Sequence, residues 1–186
     1  MANDATKVST GKPKPGGSIH RAPVGTALPT DAVTALNVAF ACLGYCSDDG
    51  LTNDNSMEVE EIKAWGGDTV LHAQTSKDDS FGFTLIEIMN ENVLKTVYGD
   101  TNVTVDAQTG AITIAANSNE QEEASYVIDM ILKGGALKRI VIPAGKVTEV
   151  GTITYKDDEA VGYETTLGCT PDSAGNTHYE YIKPAT

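Results

Sequence analysis

The sequence predicts a mainly β protein: a β-sandwich or partly closed barrel with one or two short flanking helices and an extended N-terminal arm. Val, Ile and Thr recur throughout, and 18 glycines divide them at short intervals, the punctuation that antiparallel strands need. Apolar residues at helical spacing occur in only two short places. No internal repeat emerges, so the 186 residues divide into an arm at 1–29 and a single β-sandwich domain at 30–186.

The arm is read from Pro13, Pro15, Pro23, Pro29 and several glycines without a sustained apolar period. Ile19, Val24 and Leu28 make it too apolar for a purely solvated tail. Its charge is distinctive. The chain carries −13, yet residues 1–23 set Lys7, Lys12, Lys14 and Arg21 against Asp4 alone, leaving −16 on the remainder. A basic arm can lie on an acidic body, in the same chain or a neighbour, by an attraction that salt screens. A disordered terminus is the other reading.

A helix is predicted after Thr30 or Asp31, either of which can cap it, with Val33, Leu36, Phe40 and Leu43 on one side and Gly44 at its end. Tyr45 to Ile88 reads as β structure broken by the turn clusters Ser47-Asp48-Asp49-Gly50 and Asn53-Asp54-Asn55-Ser56. Thr69–Thr75 and Phe81–Ile88 read as a hairpin around a polar loop at 76–80. Asn90 caps a second helix with Val93, Leu94 and Val97 on its apolar side, closed at Tyr98-Gly99-Asp100. Period-two runs on either side of Gly110 make Val103–Ile114 the clearest hairpin, and a polar loop follows at Asn117–Glu123. Further strands are predicted at Tyr126–Lys133, Lys138–Pro143, Lys146–Tyr155, Gly162–Cys169 and His178–Ile182, with a turn at Gly134-Gly135.

No motif carries catalytic, cofactor or metal chemistry. Cys42 and Cys46 have three residues between them and Cys169 is remote, which fits neither a redox pair nor four-ligand zinc and reads as buried free thiols. The odd cysteine count and the lack of a signal peptide suit assembly in a reducing cytoplasm. There is no phosphate loop, nucleophile elbow or metalloprotease helix. His20, His72 and His178 lack ligand spacing, and pairs such as Asp78-Asp79 and Glu60-Glu61 read as solvated turn or edge residues. A glycan hydrolase would need two carboxylates facing one cleft. The acidity also argues against a protein that grips nucleic acid by neutralising phosphates. No run of about 18 apolar residues is present to span a membrane.

Several strings together carry a family resemblance. They are Gly25-Thr26-Ala27-Leu28-Pro29-Thr30, Leu43-Gly44-Tyr45 through Asp49-Gly50, Lys63-Ala64-Trp65-Gly66-Gly67-Asp68-Thr69-Val70, Phe81-Gly82-Phe83-Thr84-Leu85-Ile86-Glu87, Val97-Tyr98-Gly99-Asp100 and Lys138-Arg139-Ile140-Val141-Ile142-Pro143-Ala144-Gly145-Lys146-Val147. In this combination, spanning almost the whole chain, the sequence resembles the major tail tube proteins of long-tailed bacteriophages. The resemblance implies a structural virion protein, not an enzyme. It would stack as hexameric rings into the tube through which genomic DNA is ejected, one sheet of each subunit joining an inner barrel.

The implied partners are further copies of itself, a tape measure protein, and distal tail and tail terminator proteins; DNA passes without specific binding. The implied location is the virion tail, with assembly in the host cytoplasm. A long loop expected at Met57–Asp68 and the arm would reach neighbouring rings, with Val59, Ile62, Trp65, Gly66, Gly67, Lys12, Lys14 and Arg21 as contact residues. Trp65 fits either the core or such a contact, and Gly66-Gly67 supplies a sharp corner. Net negative charge facing the lumen would repel DNA phosphate. Two alternatives share the composition: a tube subunit of a related injection device, tailocin or secretion-type, and a monomeric β-sandwich binding module.

Overall fold

The computed structural model describes residues 3–185. Its strands are β1 (Gly11–Pro13), β2 (Ile19–Pro23), β3 (Ala41–Cys42), β4 (Cys46–Asp54), β5 (Met57–Lys63), β6 (Thr69–Lys77), β7 (Ser80–Leu85), β8 (Val103–Val105), β9 (Ile112–Ile114), β10 (Ala124–Leu132), β11 (Leu137–Val150), β12 (Tyr163–Thr170) and β13 (Tyr179–Lys183). One α-helix, α1 (Glu91–Tyr98), stands between β7 and β8. Nine strands form one sheet along the path β3-β2-β10-β11-β12-β7-β4, with β1 also on β10 and β13 also on β11. The sheet does not close into a barrel. The expected mainly β fold is therefore present, with one flanking α-helix among the described residues.

Alternation along β10 and β11 assigns the two faces of the sheet. Tyr126 pairs with Ile142 and Ile128 with Ile140 on the face that carries the main core. That core adds Phe81, Phe83 and Leu85 from β7, Leu167 from β12, and Val93, Leu94 and Val97 from α1. Val127 pairs with Val141 on the other face, where Ala22, Phe40, Leu28 and Leu36 cover them. Helix α1 forms as its sequence predicts. The Asn90 side chain accepts from the Asn92 N–H, and Gly99, at φ 98°, donates its N–H to the Lys95 carbonyl.

The predicted helix over 30–43 does not form. Asp31 does accept from the N–H groups of Val33 and Thr34, as a cap would, but residues 31–40 continue as bends and turns. Arg139 Nη1 donates to the carbonyls of Asp31 (3.1 Å) and Thr34 (2.7 Å), the acceptors that the next helical turn needs. The segment is thus pinned across the minor face of the sheet, and burial of Leu36 and Phe40 there outweighs helical periodicity. Residues 11–23, expected in the arm, add β1 and β2 to the sheet beside β10, and Ile19 and Ala22 are buried.

Strand pairing departs from the sequence reading in three further places. β6 and β7 do not form a hairpin: β6 pairs with β5, while β7 pairs with β4 and β12. The Ser47–Gly50 cluster is not a turn between strands but a wide bulge within β4, since Cys46 faces Leu85 and Leu51 faces Phe83. The strands expected on either side of Pro143 are one, and it ends at Val150 rather than Tyr155. Proline is tolerated inside this central strand because the β10 register shifts there and the other edge changes partner, from β13 at Val141 to β12 at Ala144. β12 and β13 run in the same direction along one edge of β11, a single strand interrupted by residues 171–178.

Candidate assembly surface

The segment expected as a loop at Met57–Asp68 is half of a two-stranded ribbon, β5–β6, which pairs with no other strand among the described residues. Every residue of β5 is exposed. A lone two-stranded ribbon is marginal in water, because neither face buries enough apolar surface. This one nevertheless carries Met57, Val59, Ile62, Val70 and Leu71 in the open. Ile62 and Leu71 face each other across the strands, 46% and 54% exposed. At the tip the Ala64 N–H donates to the Asp68 carbonyl, and the Gly67 N–H donates to the Ala64 carbonyl. Gly66 and Gly67 sit at φ 120° and 101°, where an L side chain is strained. Trp65 projects from this corner fully exposed, so it is no part of its own chain's core. Val59, Ile62, Trp65, Gly66 and Gly67 therefore lie together on one projecting element.

The ribbon's root is fixed by a residue that sequence reasoning placed in solvent. Asp79, between β6 and β7, is buried. Its carboxylate accepts from Asn53 Nδ2 (2.8 Å) and Thr177 Oγ1 (2.5 Å) and meets His178 Nδ1 (2.5 Å), while its carbonyl accepts from the Cys169 N–H. Burial alone raises its pKa, but these bonds outweigh that and hold it below the usual carboxylate value. Asn53 comes from β4, and Thr177 and His178 from the interruption between β12 and β13. His178 also packs edge-on to Phe81. An Asp after a polar loop has no sequence signature of burial; only tertiary pairing creates it.

The basic residues expected as contacts are partly engaged within the chain. Lys14 reaches Asp129 (3.2 Å), and Arg21 makes a two-pronged pair with Asp100 (2.7 and 3.2 Å). Lys12, opposite Ile131 on β1, is exposed and makes no ion pair among the described residues. Among the described residues no cluster of three His, Cys, Asp or Glu is arranged for a metal. Cys42, Cys46 and Cys169 are free thiols and only half-buried; burial pushes Cys46 up to about 11 and Cys169 up to about 12.

An open sheet with an unsupported apolar ribbon presents surface suited to burial against another chain. The chain belongs to the phage tail tube protein family: the model described as "Phage tail tube protein" matches residues 1–186. It is accordingly a structural component of the phage tail, a part of the virion that assembles with other tail components. Among solved structures it is similar to the anti-feeding prophage cap, a tube-terminating cap seen by cryo-EM, at TM-score 0.49 and 10% identity, covering 98% of this chain and 100% of that one. No curated protein matches it.

Proposed function

We propose that the protein polymerises as stacked hexameric rings into the tail tube through which genomic DNA is ejected, with the β5–β6 ribbon reaching a second copy. The observation that carries this reading is the ribbon: six large apolar side chains, Trp65 among them, stand in water on an element that cannot support itself. Burial against another subunit would remove that surface from water, at about 25 cal/mol per Å2 of apolar area before association costs. Exposed Lys12 and the neighbouring basic residues supply a second contact, toward acidic surface of another copy. Six chains of −13 each give the ring an acidic character that keeps phosphate from adhering to the tube wall. The remaining partners on this reading are a tape measure protein within the growing tube and distal tail and terminator proteins at its ends, with assembly in the host cytoplasm.

Negative-stain electron microscopy of the purified chain over a concentration series, with and without a tail initiator complex, tests the reading. Six-fold rings or tubes are expected. Monomers alone under every condition would overturn it.

A further inference from the structure

Trp65 needs a host, and two of the cavities among the described residues are large enough for an indole. One, of about 490 Å3, is lined by residues 86–90, with Glu87 its one charged residue. The other, of about 320 Å3, lies between residues 14–17 and the pinned segment 33–40, with the buried Arg139–Asp129 pair at its base. Its apolar lining comes from Pro15, Val33, Leu36, Val38 and Phe40. Val38 is 99% exposed, an apolar side chain with no cover in its own chain.

Charge distinguishes the two. Residues 57–68 of the ribbon carry Glu58, Glu60, Glu61 and Asp68 against Lys63 alone. The Glu87 cavity repels such a tip. The second is lined by Lys14, in the segment that is positive within an acidic chain. A lysine ammonium beside an indole face adds a cation–π attraction.

Building on the proposed ribbon contact, we infer that the groove between residues 14–17 and 33–40 receives Trp65 of a second copy. Acidic tip and basic rim set the approach, and the indole fills the groove as the buried anchor.

Trp65 is the chain's single tryptophan, so its emission reports the contact directly. The full-length wild type is compared with Trp65→Ala and Val38→Glu for polymerisation by sedimentation, for monomer stability by urea melts and, where Trp65 remains, for emission wavelength. Val38→Glu changes an exposed side chain and places a carboxylate where the acidic tip must enter. It is expected to raise the concentration needed for polymerisation about tenfold or more, to abolish the blue shift that accompanies wild-type assembly, and to leave the urea midpoint unchanged. Should Val38→Glu assemble and blue-shift like wild type while Trp65→Ala is impaired, the groove assignment is wrong and the ribbon contact stands. If Trp65→Ala also assembles like wild type, the ribbon reading itself fails. A Val38→Glu chain with a lowered urea midpoint is replaced by Val38→Lys, which must assemble better than Val38→Glu if charge governs entry; equal impairment overturns the inference.

Discussion

Arg139 and Asp129 face each other across β11 and β10 as a buried, two-pronged ion pair, Nε to Oδ1 at 2.6 Å and Nη2 to Oδ2 at 2.9 Å. The third guanidinium nitrogen holds the carbonyls of Asp31 and Thr34. One side chain thus joins the centre of the sheet to the segment that would otherwise be a helix.

Removing that guanidinium should be costly. Arg139→Met leaves Asp129 buried without its principal partner, and the urea-derived stability is expected to fall by about 3–5 kcal/mol. Because burial would raise the Asp129 pKa and the Arg139 bonds instead hold it low, its contribution is present above the usual carboxylate range and lost as pH falls through the lowered native value. The acid limb of the stability curve should flatten in Asp129→Asn.

His20 acts at a higher pH. Burial lowers its pKa below 6.5, so the unfolded chain binds a proton before the native chain does. Stability should therefore drop as pH falls from about 6.5 toward the lowered native value. Thermal melts of His20→Gln between pH 5 and 7 should show a shallower slope than the wild type.

The Asp79 hub predicts a local effect. Asp79→Ala removes the acceptor for Asn53, Thr177 and His178 and should cost about 1–3 kcal/mol. Hydrogen exchange should show faster opening in β4, β7 and residues 171–178 than at the β10–β11 pairing.

Thiol chemistry offers a probe of folding. With pKa values pushed up to about 11 and about 12, Cys46 and Cys169 hold little thiolate at pH 8. Iodoacetamide should label them slowly in the native chain and at model-thiol rates in urea, as read by peptide mass spectrometry.

Local rules made much of this legible in the sequence. Asn90 and Gly99 bound α1 because caps act over a few residues, and Val103–Ile114 folds as its alternation and Gly110 dictate. The helix over 30–43 failed because its carbonyls are taken by Arg139, more than a hundred residues away. The β6–β7 hairpin failed because sequence proximity does not decide pairing: β4 and β7 enclose β5 and β6. Asp79 was hidden for the same reason, since its partners come from three separate segments. Trp65, Gly66 and Gly67 were legible as an unusual corner; that Val70 and Leu71 share its ribbon was not, because it depends on register. Ile19 and Ala22 are core, so deletion through residue 22 should unfold the chain, whereas deletion of 3–10 removes exposed residues alone.

The most direct test of the central claim compares wild type and Trp65→Ala in one sample set, sedimentation for polymer and urea melts for the monomer. A fully exposed side chain contributes little to folding, so the midpoint should not move while the polymerised fraction falls sharply. A Trp65→Ala chain that polymerises like wild type, or whose midpoint falls in proportion to its lost assembly, would contradict an account in which the β5–β6 ribbon is built for a neighbouring copy.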